Sequence, residues 1–175
     1  QNNIVRSQWA SIESKVLYKN IDYKYDVSFI GGISPYRKWF VKELNKKGIK
    51  VHCFGNGWEN GRVSYEQMEE IFLTSKINLN ISNSINYDIR YLASHIKVFA
   101  ITLRAVINKG GKNSAQTKAR NFEIPVQGGF QLTDYVASIE DYFNIGKELI
   151  CYSDIDEAKE LINYYLKHGK ERERI

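Results

Sequence analysis

The chain has 175 residues, of which 43% are hydrophobic and 13% aromatic, with two prolines and a formal net charge of +5. This length suits one domain of roughly 100–200 residues, and the composition can form a packed core, which excludes a disordered segment. No stretch is long and apolar enough to cross a bilayer, and the start lacks the basic and apolar regions of a signal peptide.

The first half of the chain alternates between strand-like and helix-like patterns. The run "YDVSFIGG" predicts a strand that ends in two glycines. A helix should follow, with Ser34 as its N-cap, Pro35 at its first position and Gly48 at its stop. The run "IKVHCFG" predicts a second strand, and "SYEQMEEIFLTS" predicts a helix opened by a capping box of Ser64 and Gln67. A third strand is predicted at "KINLNIS".

The second half continues the alternation. The run "YDIRYLASHIKVFAITLRAVI" predicts one long or two broken helices, a helical arm over about residues 87–107. Residues 118–126 predict another helix, followed by a strand at "GGFQLT" and a last strand at "KELICYS". Asp154 should cap a final helix, with Glu157 three residues on. Such alternation predicts an α/β fold, a Rossmann-like parallel sheet with helices on both faces.

The positive charge is concentrated in one segment. Residues 84–120 contain seven lysine and arginine side chains and a single acid, Asp88, so the segment alone carries +6. The rest of the chain is close to neutral, because the whole chain carries only +5. This distribution favours a localised anion site over a basic coat.

Ligands of open parallel sheets bind at the carboxyl ends of the strands, and a first candidate loop there is Gly31-Gly32. The loop leads into the helix that carries Arg37 and Lys38. Backbone N–H groups at that helix start could hold a phosphate. A strand–Gly–Gly–helix turn is also an ordinary structural connection, and the two alternatives remain open.

A second candidate loop is "FGNGWENGR", residues 54–62. Its glycines, Gly57 among them, make a flexible strand exit, while Asn56 and Trp58 offer polar and stacking surface to a nucleotide or an acceptor. The same loop could be a turn in which Trp58 packs on the edge of the sheet.

A third candidate site lies at the start of the helix over residues 118–126. Lys118 and Arg120 could neutralise a diphosphate, and Glu123 could accept hydrogen bonds from ribose hydroxyls. The alternative is an ion pair between Arg120 and Glu123, three residues apart, as on any solvated helix face. The helix ends in "IPVQGGF" and turns directly into a strand.

Several of these stretches together carry a resemblance to a known family. The runs "DVSFIGG", "GNGWENGRVSYEQMEEIF" and above all "RNFEIPVQGGF", followed by "EDYF" and "YYL", resemble the spore-maturation-protein-like bacterial glycosyltransferases of the GT-B superfamily. The resemblance implies one half of a GT-B fold, its C-terminal nucleotide-sugar-binding domain.

The resemblance also implies roles for particular residues. It assigns diphosphate binding to Gly31, Gly32, Arg37, Lys118 and Arg120, and ribose binding to Glu123. Nucleotide or sugar contacts fall on Asn56, Gly57, Trp58, Gly128 and Gly129. Related retaining enzymes often carry a second Glu eight positions before Glu123, where this chain has Ala115. Retaining and inverting chemistry therefore both remain open.

The implied reaction is glycosyl transfer from a nucleoside diphosphate sugar, with UDP as the expected nucleotide and no cofactor or metal required. We expect residues 1–25 to come from an interdomain region and residues 26–175 to form the donor domain, truncated at the C-terminus. The acceptor site and any catalytic base would lie in an N-terminal domain that this chain lacks. The chain alone should therefore bind donor but catalyse poorly.

Other expectations concern partners and location. The arm over residues 87–107 has an apolar stripe and basic residues, and it could pack in the core, meet the missing domain, form a homodimer or touch an anionic membrane. We expect a cytoplasmic bacterial protein, peripheral at the membrane if the arm binds lipid, whose two cysteines are buried thiols. A non-catalytic α/β nucleotide-binding or receiver-like module is the second candidate. A nucleic-acid binder ranks third, and no nucleic acid is expected as a partner.

Overall fold

A computed structural model of the chain describes residues 21–82, 88–94 and 117–175. In these residues five parallel strands form one sheet in the order β2-β1-β3-β4-β5. The strands are β1 (Tyr25–Ile30), β2 (Val51–Phe54), β3 (Ser75–Asn80), β4 (Gln131–Asp134) and β5 (Ile150–Tyr152).

The described helices connect these strands. They are α1 (Pro35–Lys46), α2 (Tyr65–Thr74), α3 (Ile89–Ser94), α4 (Ala119–Val126), α5 (Ile155–Lys167) and α6 (Gly169–Arg172), with a 3₁₀ turn at Ile139–Asp141. The predicted caps are confirmed. Ser34 accepts a hydrogen bond from the Arg37 N–H at 3.2 Å, Ser64 forms its capping box, and Asp154 accepts from the first N–H groups of α5.

Helices cover both faces of the sheet, as predicted. On one face α1 and α5 bury side chains such as Phe40 and Ile162 against Phe29 and Leu79 of the sheet. On the other face α2 and α4 enclose a separate core built around Ile30, with Met68, Ile71, Phe72 and Ile124. Apolar side chains in both cores are less than a tenth exposed. Their burial from water is the main stabilising contribution to this three-layer arrangement.

The predicted helical arm is described only in part. Ile89–Ser94 is helical, whereas residues 87 and 95–107 lie outside the described residues. Tyr91 packs on Tyr36 and Trp39, with ring centroids 5.2 and 5.5 Å apart. None of the helices in the described ranges is long and apolar enough to span a bilayer.

The strand order determines where a ligand crevice can form. The chain leaves β1 toward β2 on one side, whereas β3, β4 and β5 follow on the other side. Connections from the carboxyl ends of β1 and β3 therefore diverge, and the space between them is the usual ligand crevice of such sheets.

Candidate functional site

Arg37 occupies the crevice between the carboxyl ends of β1 and β3. It lies in the first turn of α1, which Ser34 and Pro35 begin. Its Nε donates to the Ile81 carbonyl at 2.9 Å, and its Nη1 donates to the Gly32 carbonyl at 2.9 Å. The guanidinium also lies 5.5 Å from the centroid of the Phe29 ring. Backbone carbonyls and a ring face thus fix this cation.

Lys118 and Arg120 reach the same crevice from the start of α4. Lys118 is the N-cap, and its Nζ donates to the Ser82 carbonyl, which also lies 3.5 Å from an Arg37 nitrogen. Arg120 donates through Nε to the Ile30 carbonyl at 3.3 Å and through Nη1 to the Glu123 carboxylate. These contacts bring together the cations of two separate candidate loops.

The Arg120–Glu123 pair predicted as an alternative does form, but it is not on a solvated surface. The two side chains are only 29% and 21% exposed, and the Arg120 guanidinium lies 5.6 Å from the centroid of the Phe72 ring. The pair keeps the Glu123 carboxylate beside the Arg120 guanidinium.

The charge of Arg37 disfavours the charged forms of Lys118 and Arg120. Burial lowers the pKa of Lys118, and the neighbouring charge of Arg37 lowers the pKa of Lys118 further, while Asp134 opposes both effects. Burial and the charge of Arg37 also lower the pKa of Arg120. The pKa of Arg37 is lowered by its own burial and raised by Asp134. A bound anion would relieve this repulsion, so the cluster is suited to bind one.

The glycine turn after β1 borders the cluster. A Cβ on Gly31 would lie 2.8 Å from the Phe29 ring, so glycine here permits the ring to pack against the turn, whereas the 3.5 Å to an Arg37 nitrogen is an ordinary contact. A Cβ on Gly32 would meet nothing within 4 Å. The space over Gly32 is therefore open at the point where α1 begins.

The loop over residues 54–62 packs onto that turn, and Trp58 is a packing residue. Its Nε1 donates to the Gly31 carbonyl at 2.9 Å, and its ring meets Phe29 edge-on, with centroids 6.0 Å apart. Gly55 is required because its φ is +125° and a Cβ would lie 2.4 Å from the Gly31 oxygen. Of the predicted contact residues, Asn56 and Gly57 stay exposed at the loop surface.

Gly128 and Gly129 are the two predicted residues that the structure separates from the others. They follow α4 and precede β4, so they lie at the amino edge of the sheet, opposite the cation cluster. A Cβ on Gly129 would lie 2.7 Å from the Asn78 side chain and 3.0 Å from the Phe72 carbonyl. These glycines therefore serve the close passage of α4 into β4, since the helix length separates its two ends.

Buried polar residues that the sequence did not indicate form hydrogen bonds around the cation cluster. Ser82 and Asp134 follow or end β3 and β4 and are both buried. The Asp134 carboxylate accepts a hydrogen bond from the Ser82 N–H at 2.8 Å. Asn121 accepts from the Lys118 N–H at 3.0 Å and donates to Thr133 at 3.3 Å. Their position in the sequence was the available signal, because a residue that ends or follows a parallel strand lies at the carboxyl edge of the sheet.

The two cysteines and the acidic residues at 154–156 have structural roles. Burial raises the pKa of both Cys53 and Cys151 to about 12, so neither thiol is a ready nucleophile. In an Asp-x-Asp sequence at residues 154–156, Asp154 caps α5 and Asp156 pairs with Lys47. Within residues 21–82, 88–94 and 117–175, no group of three or more metal-ligating side chains converges.

The fold and the cluster define a Rossmann-like α/β domain with a cationic crevice at the carboxyl edge of its sheet. The chain belongs to the glycosyl transferase-like family, whose model matches residues 37–175. No curated protein matches the chain.

One solved structure with the same fold is the crystal structure of an α1,3-fucosyltransferase. It matches with a TM-score of 0.54 and 16% identity over 87% of this chain. The match covers 36% of the fucosyltransferase chain, so this chain spans about a third of that protein. At this identity the match establishes the fold alone.

Proposed function

We propose that this chain is the donor-binding domain of a glycosyltransferase and that Arg37, Lys118 and Arg120 hold the diphosphate of a nucleoside diphosphate sugar. One observation carries the proposal. Three partly buried cations meet at the carboxyl edge between β1 and β3, and burial and then the charge of Arg37 lower the pKa of both Lys118 and Arg120. A group with two adjacent negative phosphates matches this charge and position.

The cations would act on the departing diphosphate. During transfer the bond between the anomeric carbon and a diphosphate oxygen breaks, and the acceptor oxygen bonds to that carbon after losing its proton to a base. Negative charge grows on the diphosphate as the bond breaks. Preorganised cations in a partly buried site stabilise that charge more in the transition state than in the bound donor.

Glu123 would orient the ribose of the donor. Its carboxylate already pairs with Arg120 at 21% exposure, so it is ordered before a ligand arrives. Ribose hydroxyls donate hydrogen bonds to a carboxylate, and an ordered acceptor loses little entropy on binding. UDP is the nucleotide we expect, and the open space over Gly32 would receive the phosphate nearest the sugar.

In this proposal the acceptor site and the catalytic base lie in a second domain. The proposal also includes membership of this chain in the spore-maturation-protein-like glycosyltransferases. The chain alone would bind the donor and turn it over poorly.

Calorimetric titration of the chain with UDP, GDP and their sugar adducts tests the proposal. We expect saturable binding of one diphosphate, and weaker binding after Arg120→Ala and after Glu123→Ala, with circular dichroism unchanged. Binding that is indifferent to both substitutions would place the nucleotide elsewhere and contradict the proposal.

A further inference from the structure

Two carbonyl groups after β3 determine the positions of two cations. The Ile81 oxygen accepts from Arg37 Nε at 2.9 Å, and the Ser82 oxygen accepts from Lys118 Nζ. An Arg37 nitrogen lies 3.5 Å from the same Ser82 oxygen. Any displacement of this two-residue turn would therefore move both cations.

Side chains of the neighbouring strand hold the turn in place. The Ser82 N–H donates to Asp134 Oδ1 at 2.8 Å, across 52 residues of sequence. The Asn80 amide donates to the Ser82 hydroxyl at 3.3 Å and to the Thr133 hydroxyl at 3.2 Å. Asp134 is only 8% exposed, and Ser82 is 1% exposed. A charged acceptor in this position holds the turn more firmly than a neutral one.

The same carboxylate is a counter-charge for the cations. It raises the pKa of Arg37 and of Lys118, against the lowering caused by burial. The titratable groups around Arg37 and Lys118 come from three further elements: Arg120 of α4, which pairs with Glu123, Asp134 of β4 and Tyr152 of β5. Burial, first, and then the charge of Asp134 raise the pKa of Tyr152 well above its ordinary value, so this phenol stays neutral.

We propose that Asp134 is a positioning residue of the donor site, which anchors the Ser82 turn through its carboxylate and thereby sets the spacing of Arg37 and Lys118. This inference rests on the proposed diphosphate site and adds a residue that need not touch the ligand. The cations are kept charged and in place before the donor binds. Such preorganisation makes a cation cluster effective toward a charged transition state.

A purely structural role for Asp134 makes a different prediction. If the carboxylate served only to satisfy a buried N–H, an asparagine oxygen would replace it and nothing at Lys118 would change. If the carboxylate positions and balances the cations, the titration of Lys118 must respond to its removal even where the fold does not.

The test compares Asp134→Asn and Asp134→Ala with a matched control, Asp26→Asn, which removes an acid paired with Lys76 at the amino edge. NMR titration of the Lys118 ammonium in the unliganded chain is the first readout. We expect its midpoint to fall in both Asp134 variants and to stay at the wild-type pH in the control. An unmoved midpoint in Asp134→Asn would overturn the inference.

Affinity for UDP at neutral pH is the second readout. Asp134→Asn keeps an acceptor for the Ser82 N–H and should bind UDP within about threefold of wild type, whereas Asp134→Ala should bind roughly tenfold more weakly. Wild-type affinity in a folded Asp134→Ala chain would also overturn the inference. If the wild-type chain binds no UDP, the proposed function fails, and the Lys118 midpoint then decides the role of Asp134 alone.

Discussion

The two edges of the sheet use their charged side chains in different ways. At the amino edge two solvent-exposed lysines pair individually with carboxylates, Lys24 with Glu70 and Lys76 with Asp26. At the carboxyl edge Arg37 and Lys118 bind backbone carbonyls. An exposed pair is already neutral and contributes little, whereas clustered cations on carbonyls keep their charge for a ligand.

The pKa shifts of lysines at the two edges have opposite directions. The hydrogen bond to Glu70 raises the pKa of Lys24, while burial and then Arg37 lower the pKa of Lys118. The charge of Lys24 is thus stabilised within the fold. In the proposed function, a bound anion would stabilise the charge of Lys118 in the same way.

Removing a cation from the carboxyl edge should have the largest effect on UDP affinity, and removing one from the amino edge should have none. Lys118→Ala and Arg120→Ala should each weaken UDP binding by roughly 10- to 100-fold, because a hydrogen bond to a charged group contributes about 1.5–3 kcal/mol. Lys76→Ala removes an equal charge at the amino edge and should leave the affinity unchanged. Calorimetric titration measures all three, and equal losses in all three would reduce the effect to net charge.

Glycine substitutions separate structural from ligand-facing positions. Gly129→Ala should lower the free energy of unfolding by about 1–3 kcal/mol, because its Cβ would lie 2.7 Å from the Asn78 side chain. Gly32→Ala meets nothing within 4 Å and should leave stability nearly unchanged while weakening UDP binding. Denaturant unfolding and calorimetry check the pair. A stable Gly129→Ala chain would show that α4 can shift away from β3.

Glu123→Gln should weaken the binding of only those ligands that contain a ribose. The amide keeps the side-chain volume but loses the charge that ribose hydroxyls favour, so UDP should bind about threefold to tenfold more weakly. Inorganic pyrophosphate, which has no ribose, should bind at least as well as before, because one negative charge has left the crevice. Loss of pyrophosphate binding would mean that Glu123 acts only by holding Arg120.

A pH series should give the smallest effect. Because its pKa in the fold is lowered, the Lys118 ammonium is lost below the ordinary value of 10.5 as the pH rises. UDP favours the ammonium, so binding takes up a proton and affinity falls as the pH rises through the lowered pKa of Lys118. The terminal phosphate is already ionised there, since its second pKa is about 6. The decline should be absent in Lys118→Met.

Much of the fold could be predicted because its signals are local. Ser34 with Pro35, the Ser64 capping box and Asp154 each mark a helix start within four residues of sequence, and strand–helix alternation predicts a parallel sheet. The convergence of Arg37 and Lys118 also followed, because the carboxyl ends of parallel strands share an edge.

The remaining features depend on contacts that sequence does not display. Asp134 meets Ser82 across 52 residues, so neither residue signals the other. The sequence alone does not tell whether Trp58 stacks on a base or packs on Phe29. The packing position becomes visible only through its hydrogen bond to the Gly31 carbonyl. Gly128 and Gly129 are next to the site in sequence, but a helix separates them from it in space.

The central claim is that one edge of the sheet binds the donor and the other does not. Backbone amide shifts during an NMR titration with UDP test it most directly, since each edge reports separately. We predict saturable shifts at Gly31, Gly32 and residues 118–120, with the amides of Gly128, Gly129 and residues 24–26 unmoved. Saturable shifts confined to the amino edge, or none at the carboxyl edge while UDP binds, would contradict the account.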